Sequence, residues 1–281
     1  MPQWNCGCAN CVAARSGQIP SMTQSSMAVS VDGIDWIILN ASPDIREQVA
    51  ASPVLYPRVR RDSPIHAVMI TNGDVDHIAG LLTLREGSPF TLHATAATHA
   101  TLAQNPLFTV LNPDVVTRAV EELEQTFEPL PGLRITPFAV PGKVPLYQEG
   151  PVVDTRLLGE QTVGLRLEAQ ARIAYYIPGC ADVPPDLLLR LADADVLFFD
   201  GTLWNDDEMR STGTGQKSGA RMGHMSMNGP EGSIASLATL RCRKIFVHIN
   251  NTNPVLQPGP ERDALRAAGW ELAYDGMDLT T

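Results

Sequence analysis

The stretch Thr71-Asn72-Gly73-Asp74-Val75-Asp76-His77 gathers an amide, two carboxylates and an imidazole within six residues. It follows the apolar run His66-Ala67-Val68-Met69-Ile70 and leads into another, Ile78 to Leu84. That order reads as strand, short polar turn, helix. Oxygen and imidazole donors at the mouth of a buried strand are the means by which an α/β protein holds a metal ion. The same residues also suit a plain helix start with Asp74 or Asp76 as N-cap. Two later apolar runs end in the same way. Asp195 to Phe199 closes on Asp200 ahead of Gly201-Thr202, and Lys244 to Val247 closes on His248 ahead of an asparagine-rich turn. Ligand sites of α/β sheets gather at the carboxyl ends of strands. Asp76, His77, Asp200 and His248 at one sheet edge therefore point to a metal site, although each alone would more often be structural.

A second cluster is more local. Cys6, Cys8 and Cys11 form Cys-x-Cys-x-x-Cys, and three thiolates so spaced can converge on one tetrahedral ion, for which zinc is the natural choice. The fourth ligand must come from elsewhere, with Asn251, a distant cysteine such as Cys180, or water as candidates. Cys180 and Cys242 stand alone and read as small buried hydrophobes.

The elements that must position these groups follow from the pattern. The chain of 281 residues is 44% hydrophobic and 19% charged, the composition of a soluble globular protein. A formal net charge of -10 argues against a nucleic-acid surface. No apolar run is long enough to span a membrane, and Met1 to Cys6 lacks the basic and apolar regions of a secretory leader, so a cytoplasmic location is expected. Asp32-Gly33 between two apolar runs predicts a hairpin. Ser42-Pro43 predicts a helix start. Strands are expected over 66–71, 90–93, 133–140, 162–168, 171–177, 195–200, 244–248 and 270–274. Helices are expected over 76–85, 95–104, 184–191, 231–240 and 261–268, with long loops over 54–62 and 204–227. His93 is expected in the core or a pocket wall, and His99 on the surface. No repeat or linker divides the chain, which reads as one domain over 1–281 with its cysteine knot at 6–11.

Thr71-x-x-x-x-Asp76-His77-x-x-Gly80, Asp200-Gly201-Thr202, Gly223-His224-Met225-Ser226 and a last strand ending on His248 resemble the metallo-β-lactamase superfamily. Further stretches bring the chain close to one family within it, the PqqB family of pyrroloquinoline quinone (PQQ) biosynthesis. These are Pro2-Gln3-Trp4-Asn5-Cys6, Thr23 to Ser26, Asn40 to Arg46, Tyr176 to Cys180 and His248 to Pro254. The resemblance implies an αββα sandwich. It also implies a first strand and a glycine-rich loop ahead of Pro2, so that this sequence lacks the first strand of the fold.

Hydrolases of the superfamily carry histidines where this chain has Asn72 and Asp74, and another where it has Pro141-Gly142-Lys143. Without them the first of two metal positions is hard to build, and Asp76, His77, Asp200 and His248 remain as the second. Two histidines with carboxylate are the ligand class of non-haem Fe(II) oxygen chemistry. The resemblance thus implies Fe(II)- and O2-dependent hydroxylation of the tyrosine ring of a cross-linked Glu–Tyr precursor of PQQ. Asn72 and Asp74 would orient water or substrate, and His224 and Ser226 would contact substrate or move protons. Zn(II) on Cys6, Cys8 and Cys11 would be structural. A carrier delivering PQQ or its precursor toward the periplasm and a mononuclear metallo-hydrolase stay open beside it. Nucleic acid and membrane insertion are not expected, and the oligomeric state, monomer or homodimer, is left open.

Overall fold

The structure is a computed structural model that describes residues 1–280. Among the described residues, twelve strands form two sheets. The first contains β1 (Met27–Val29), β2 (Trp36–Leu39), β3 (Ile65–Met69), β4 (Phe90–Ala94) and β5 (Val116–Val120), lying in chain order. β1 and β2 are the expected antiparallel hairpin, and β2 to β5 run parallel. Asp32 closes the hairpin by accepting the backbone N–H of Ile34 and Asp35, while Gly33 takes φ +72°.

The second sheet contains β6 (Phe127–Leu130), β7 (Leu133–Ala139), β8 (Val163–Ala169), β9 (Arg172–Ile177), β10 (Val196–Asp200), β11 (Arg243–Val247) and β12 (Trp270–Leu272), again side by side in chain order. β6 to β9 form an antiparallel meander, and β9 to β12 run parallel.

Alternation along each strand assigns the layers. Ile37, Leu39, Ala67 and Met69 face Ile135, Val163, Leu165 and Tyr176 between the sheets. Ile38, Val68, Ile70 and Leu92 face outward, against Ile45, Leu102 and Phe108. On the far side, Tyr175, Ile177, Leu197, Phe199 and Phe246 pack on Leu187, Leu237 and Leu265. The result is an αββα sandwich, as expected, whose parallel strands end along a common edge. No helix of the described residues is long and apolar enough to cross a membrane.

Several local expectations are corrected. The helix expected over 76–85 is one α-turn, Val75–Ile78, followed by a 3-10 segment, Ala79–Arg85. Ala41 takes the carbonyl of His77 at 2.7 Å and the N–H of Gly80 at 2.9 Å, which diverts both groups from the i→i−4 ladder. The helix after Ser42-Pro43 begins only at Ile45, and the segment 231–240 keeps helix only over Ser233–Ser236. β5 and β6 lack a clean sequence period, so the sequence carries no expectation of a strand at either. The long loop carries two short helices, Glu208–Ser211 and Gly219–Met222. His99 is buried, not superficial, because the helix Ala96–Ala103 turns that face inward, where Nε2–H donates to the Ala119 carbonyl at 2.8 Å. His93 is a core residue, paired with Glu121 at 2.7 Å and stacked on Phe127.

Candidate metal centre

The turn after β3 is built around Asn72. Its Oδ1 accepts the Asp74 backbone N–H at 2.9 Å and the Nδ1–H of His77 at 2.8 Å. A side-chain carbonyl can only accept, so the His77 proton is fixed on Nδ1 and Nε2 is left with its lone pair. His77 is 1% exposed, and among the described residues its Nε2 has no hydrogen-bond partner. A buried imidazole nitrogen so orphaned asks for a ligand. Asp74 does occupy the N-cap position, but its side chain makes no capping bond. The helix-start explanation therefore does not account for the carboxylates.

His248 follows β11 in a left-handed conformation, φ +57°, a costly one for a residue with a Cβ and frequent at functional sites. Its Nε2 lies 2.7 Å from Asp76 Oδ2, and its Nδ1–H donates to Thr202 Oγ1 at 2.8 Å. The Thr202 hydroxyl in turn donates to Asp200 Oδ1 at 2.6 Å. Asp200, at the end of β10, is fully buried. Its other oxygen accepts the Cys180 N–H at 2.9 Å and the His224 Nδ1–H at 2.7 Å.

The four residues expected to share one site thus resolve into two triads that meet at His248. Asp76, His77 and His248 form one, and Asp200, His224 and His248 the other, each with ligand atoms within 4.8 Å of one another. His224 belongs at the cluster rather than on a remote loop. Ser226 makes backbone contacts, with Leu203 and Ser233, and no side-chain hydrogen bond to the cluster. Asn72 acts on His77, and Thr202, two residues past Asp200, holds Asp200 and His248 together.

Charge sets the protonation pattern. Burial alone would raise the Asp76 carboxyl, yet His77 and His248 beside it hold it well below the carboxylate range. Burial lowers His77 to about 4, against the pull of Asp76. His248 moves the other way, to about 9, because its bond to Asp76 outweighs burial. Asp74 is raised by burial and by the neighbouring Asp76 charge. One cationic and one neutral imidazole thus face anionic carboxylates, a set that a divalent cation can take over once His248 releases its proton.

The three cysteine sulfurs also lie within 4.8 Å of one another. The Asn251 side chain sits over them, 3.3 Å from Cys6, 3.5 Å from Cys8 and 3.4 Å from Cys11. Cys180 is buried elsewhere, bonded to the Asp182 carbonyl, so Asn251 is the candidate that the fold brings to the trio. Asn10 fastens the knot by donating to the carbonyls of Asn251 and Asn253 at 2.9 and 2.8 Å. Cys242 is half-buried beside the core of the second sheet.

The chain is similar to known proteins over most of its length. A family model described as the beta-lactamase superfamily domain matches residues 35–249. Coenzyme PQQ synthesis protein B of Ruegeria pomeroyi is 56% identical over 280 residues, covering 99% of this chain and 95% of the relative. That of Rhizobium meliloti is 54% identical over 283 residues, covering 99% and 93%. The crystal structure of Zn(2+)-bound PqqB from Methylobacterium extorquens superposes with a TM-score of 0.98 at 54% identity, covering 100% of this chain and 95% of that one. A diphosphatase from the PhnP family, with a TM-score of 0.70 at 21% identity over 99% of this chain and 90% of that one, shares the fold. The chain belongs to the coenzyme PQQ synthesis protein B family, within the β-lactamase superfamily.

Proposed function

We propose that this protein acts in PQQ synthesis as a mononuclear Fe(II)- and O2-dependent hydroxylase of the tyrosine ring in a cross-linked Glu–Tyr intermediate. The observation that carries this reading is the buried, partnerless Nε2 of His77 between Asp76 and His248. Two imidazoles and a carboxylate on one face match the ligand class of non-haem iron oxygen enzymes. Asn72 and Asp74, and the stretch Pro141-Gly142-Lys143, stand where a hydrolase's other metal position would need imidazoles, which weighs against a dinuclear hydrolase.

Asp76, His77 and His248 would hold the iron, with Asp200 closing the set. When bound, iron supplies the activation of O2 that ring hydroxylation requires; one oxygen atom enters the ring and the other leaves as water, so two electrons come from an added reductant such as ascorbate. The remaining work falls to side chains. Asn72 holds His77 in the tautomer that presents Nε2. Thr202 does the same for His248, and Asp200 fixes His224 through Nδ1, leaving His224 Nε2 free to take a proton. Asp74, its carboxyl raised by burial and by Asp76, is suited to exchange a proton with the ring hydroxyl or a bound water. Cys6, Cys8, Cys11 and Asn251 would hold a structural zinc. The Zn(2+)-bound state of the Methylobacterium extorquens relative supports metal binding in this family.

The test is anaerobic reconstitution with Fe(II), followed by O2 consumption with the cross-linked Glu–Tyr amino acid and ascorbate as the reductant, comparing wild type with His248→Ala. Substrate-dependent uptake that disappears in the variant is expected. Iron binding without O2 uptake would move the assignment to a carrier of PQQ or its precursor, and cleavage without O2 to a hydrolase.

A further inference from the structure

Beside the metal cluster lies a charged triad that the reading above leaves unused. Glu149 is held between Lys143 Nζ at 3.0 Å and the Arg221 guanidinium, which approaches both carboxylate oxygens at 3.1 and 2.7 Å. The Lys143 and Glu149 side chains are 10% and 8% exposed, whereas that of Arg221 is 40% exposed. The triad joins two loops that border the cluster. Lys143 follows the turn at Gly142, and its stem crosses Gly223, the neighbour of His224; a Cβ on Gly223 would sit 3.1 Å from Lys143 Cγ. Tyr147, on the same loop as Lys143 and Glu149, donates its hydroxyl to the Gly73 carbonyl, one residue from Asp74.

We infer that Lys143 and Arg221 form the carboxylate-binding wall of this site, and that Glu149 is an internal placeholder which a substrate carboxylate displaces. The inference rests on the proposed substrate, because a cross-linked Glu–Tyr amino acid carries several carboxylates. Such a ligand would be repelled by Asp74, Asp76 and Asp200 unless cations receive it. Two cations share one internal carboxylate here, which leaves a net positive charge at the rim of an acidic site. The Arg221 fork already grips Glu149 in the bidentate geometry that any carboxylate would use. Its guanidinium first, with Lys143 assisting, holds the Glu149 carboxyl down to about 2, so the pair favours an anion between them. The exposed Arg221 head is the end through which a ligand would enter.

Calorimetric titration of the Fe(II)-loaded protein under argon separates this subsite from the chemistry. The titrants are the cross-linked Glu–Tyr amino acid, its analogue with carboxylates capped as amides, and tricarballylate, a tricarboxylate with no phenol ring. Lys143→Gln and Arg221→Gln are each expected to weaken both acids by about tenfold, the loss of one charge-assisted contact, with the amide and the iron content unaffected. Glu149→Gln is expected to tighten both acids severalfold, and Arg221→Lys, which keeps the charge but loses the fork, is expected to bind them with an affinity between those of wild type and Arg221→Gln. Acid binding that is unchanged in Arg221→Gln, or weakened in Glu149→Gln together with a lower Tm, would overturn the subsite and leave the triad as a clasp between loops. Tricarballylate binding that depends on Arg221, without binding of the Glu–Tyr acid, would keep the subsite and discard the proposed substrate. O2 uptake with KM unaltered in both cation variants would discard the subsite and keep the hydroxylase.

Discussion

The Nε2 of His248 lies 2.7 Å from Oδ2 of Asp76, joining the helical turn after β3 to the end of β11 across 172 residues. This contact is where the two sheets share a site, and its protonation couples metal binding to pH. The His248 imidazole is raised from 6.5 to about 9, burial opposing and the Asp76 bond prevailing. In the metal-free protein the pair contributes its stability in full below pH 6.5 and loses it as pH rises through about 9. Metal affinity must run the other way, because His248 coordinates only after losing its proton. Below that pKa, the apparent affinity is expected to fall roughly tenfold per pH unit, with about one proton released per metal bound. Zinc or cobalt titrations in buffers of different ionisation enthalpy would read both numbers. A pH-independent affinity between pH 6 and 8 would show that His248 is not a ligand.

Asn72 and Thr202 are expected to matter through the imidazoles they orient. Asn72→Ala frees His77 to rotate or change tautomer, and Thr202→Val leaves His248 Nδ1–H and Asp200 Oδ1 without their shared hydroxyl. Loss of such outer partners costs roughly 10–100-fold in metal affinity. Thr202→Ser, which keeps the hydroxyl, should retain affinity. Equilibrium dialysis against a competing chelator, with far-UV circular dichroism to verify the fold, measures this directly.

Those two residues also mark the limit of reading the sequence. Asp200 and His248 were legible because each closes an apolar run, His77 because it follows the polar turn after one, and strand ends in parallel sheets share an edge. The two triads were not legible, because which ligands face each other depends on β10 lying between β9 and β11 and on the left-handed turn at His248. His224 sits in a segment with no period, so nothing in the chain order brought it to Asp200. β5 and β6 were missed for a related reason: both alternate only in part, Val116 and Leu130 being buried among exposed neighbours. The broken helix after His77 has its cause in Ala41, thirty-six residues earlier, beyond any local pattern.

Gly80 records that long-range contact. A Cβ there would stand 2.1 Å from the Ser42 carbonyl oxygen and 2.8 Å from that of Ala41. Both are backbone atoms that cannot swing aside, so Gly80→Ala must push apart the segments carrying Asn40 and His77. A loss of roughly 3 kcal/mol or more is expected, at the upper end for an overpacked site. Denaturant unfolding would show it as a lower midpoint with unchanged slope, and metal affinity should fall with it. A variant as stable as wild type would mean that the 41–80 contact relaxes freely.

Glu208 offers a test that leaves the metal ligands untouched. It is 4% exposed and ties the long loop to the turn after His248: Oε1 accepts the Thr252 hydroxyl at 2.6 Å, and Oε2 accepts the Trp204 N–H at 2.7 Å. Burial pushes its carboxyl up from 4.5 to about 7, although both bonds favour the anion. With the folded value above the unfolded one, its contribution to stability is complete below pH 4.5 and is lost as pH rises through about 7. At pH 8 the protein therefore carries a buried charge that has no cation partner among the described residues. Glu208→Gln removes that charge while keeping an acceptor for the Trp204 N–H. Near pH 4.5 the variant should match wild type or fall slightly below it. At pH 8 it should be more stable by about 1–2 kcal/mol, part of the penalty that a shift of this size represents. Urea midpoints measured from pH 4.5 to 8 for both proteins decide the matter: the difference should grow across that window and level off above it, and a constant difference would show that Glu208 does not titrate there.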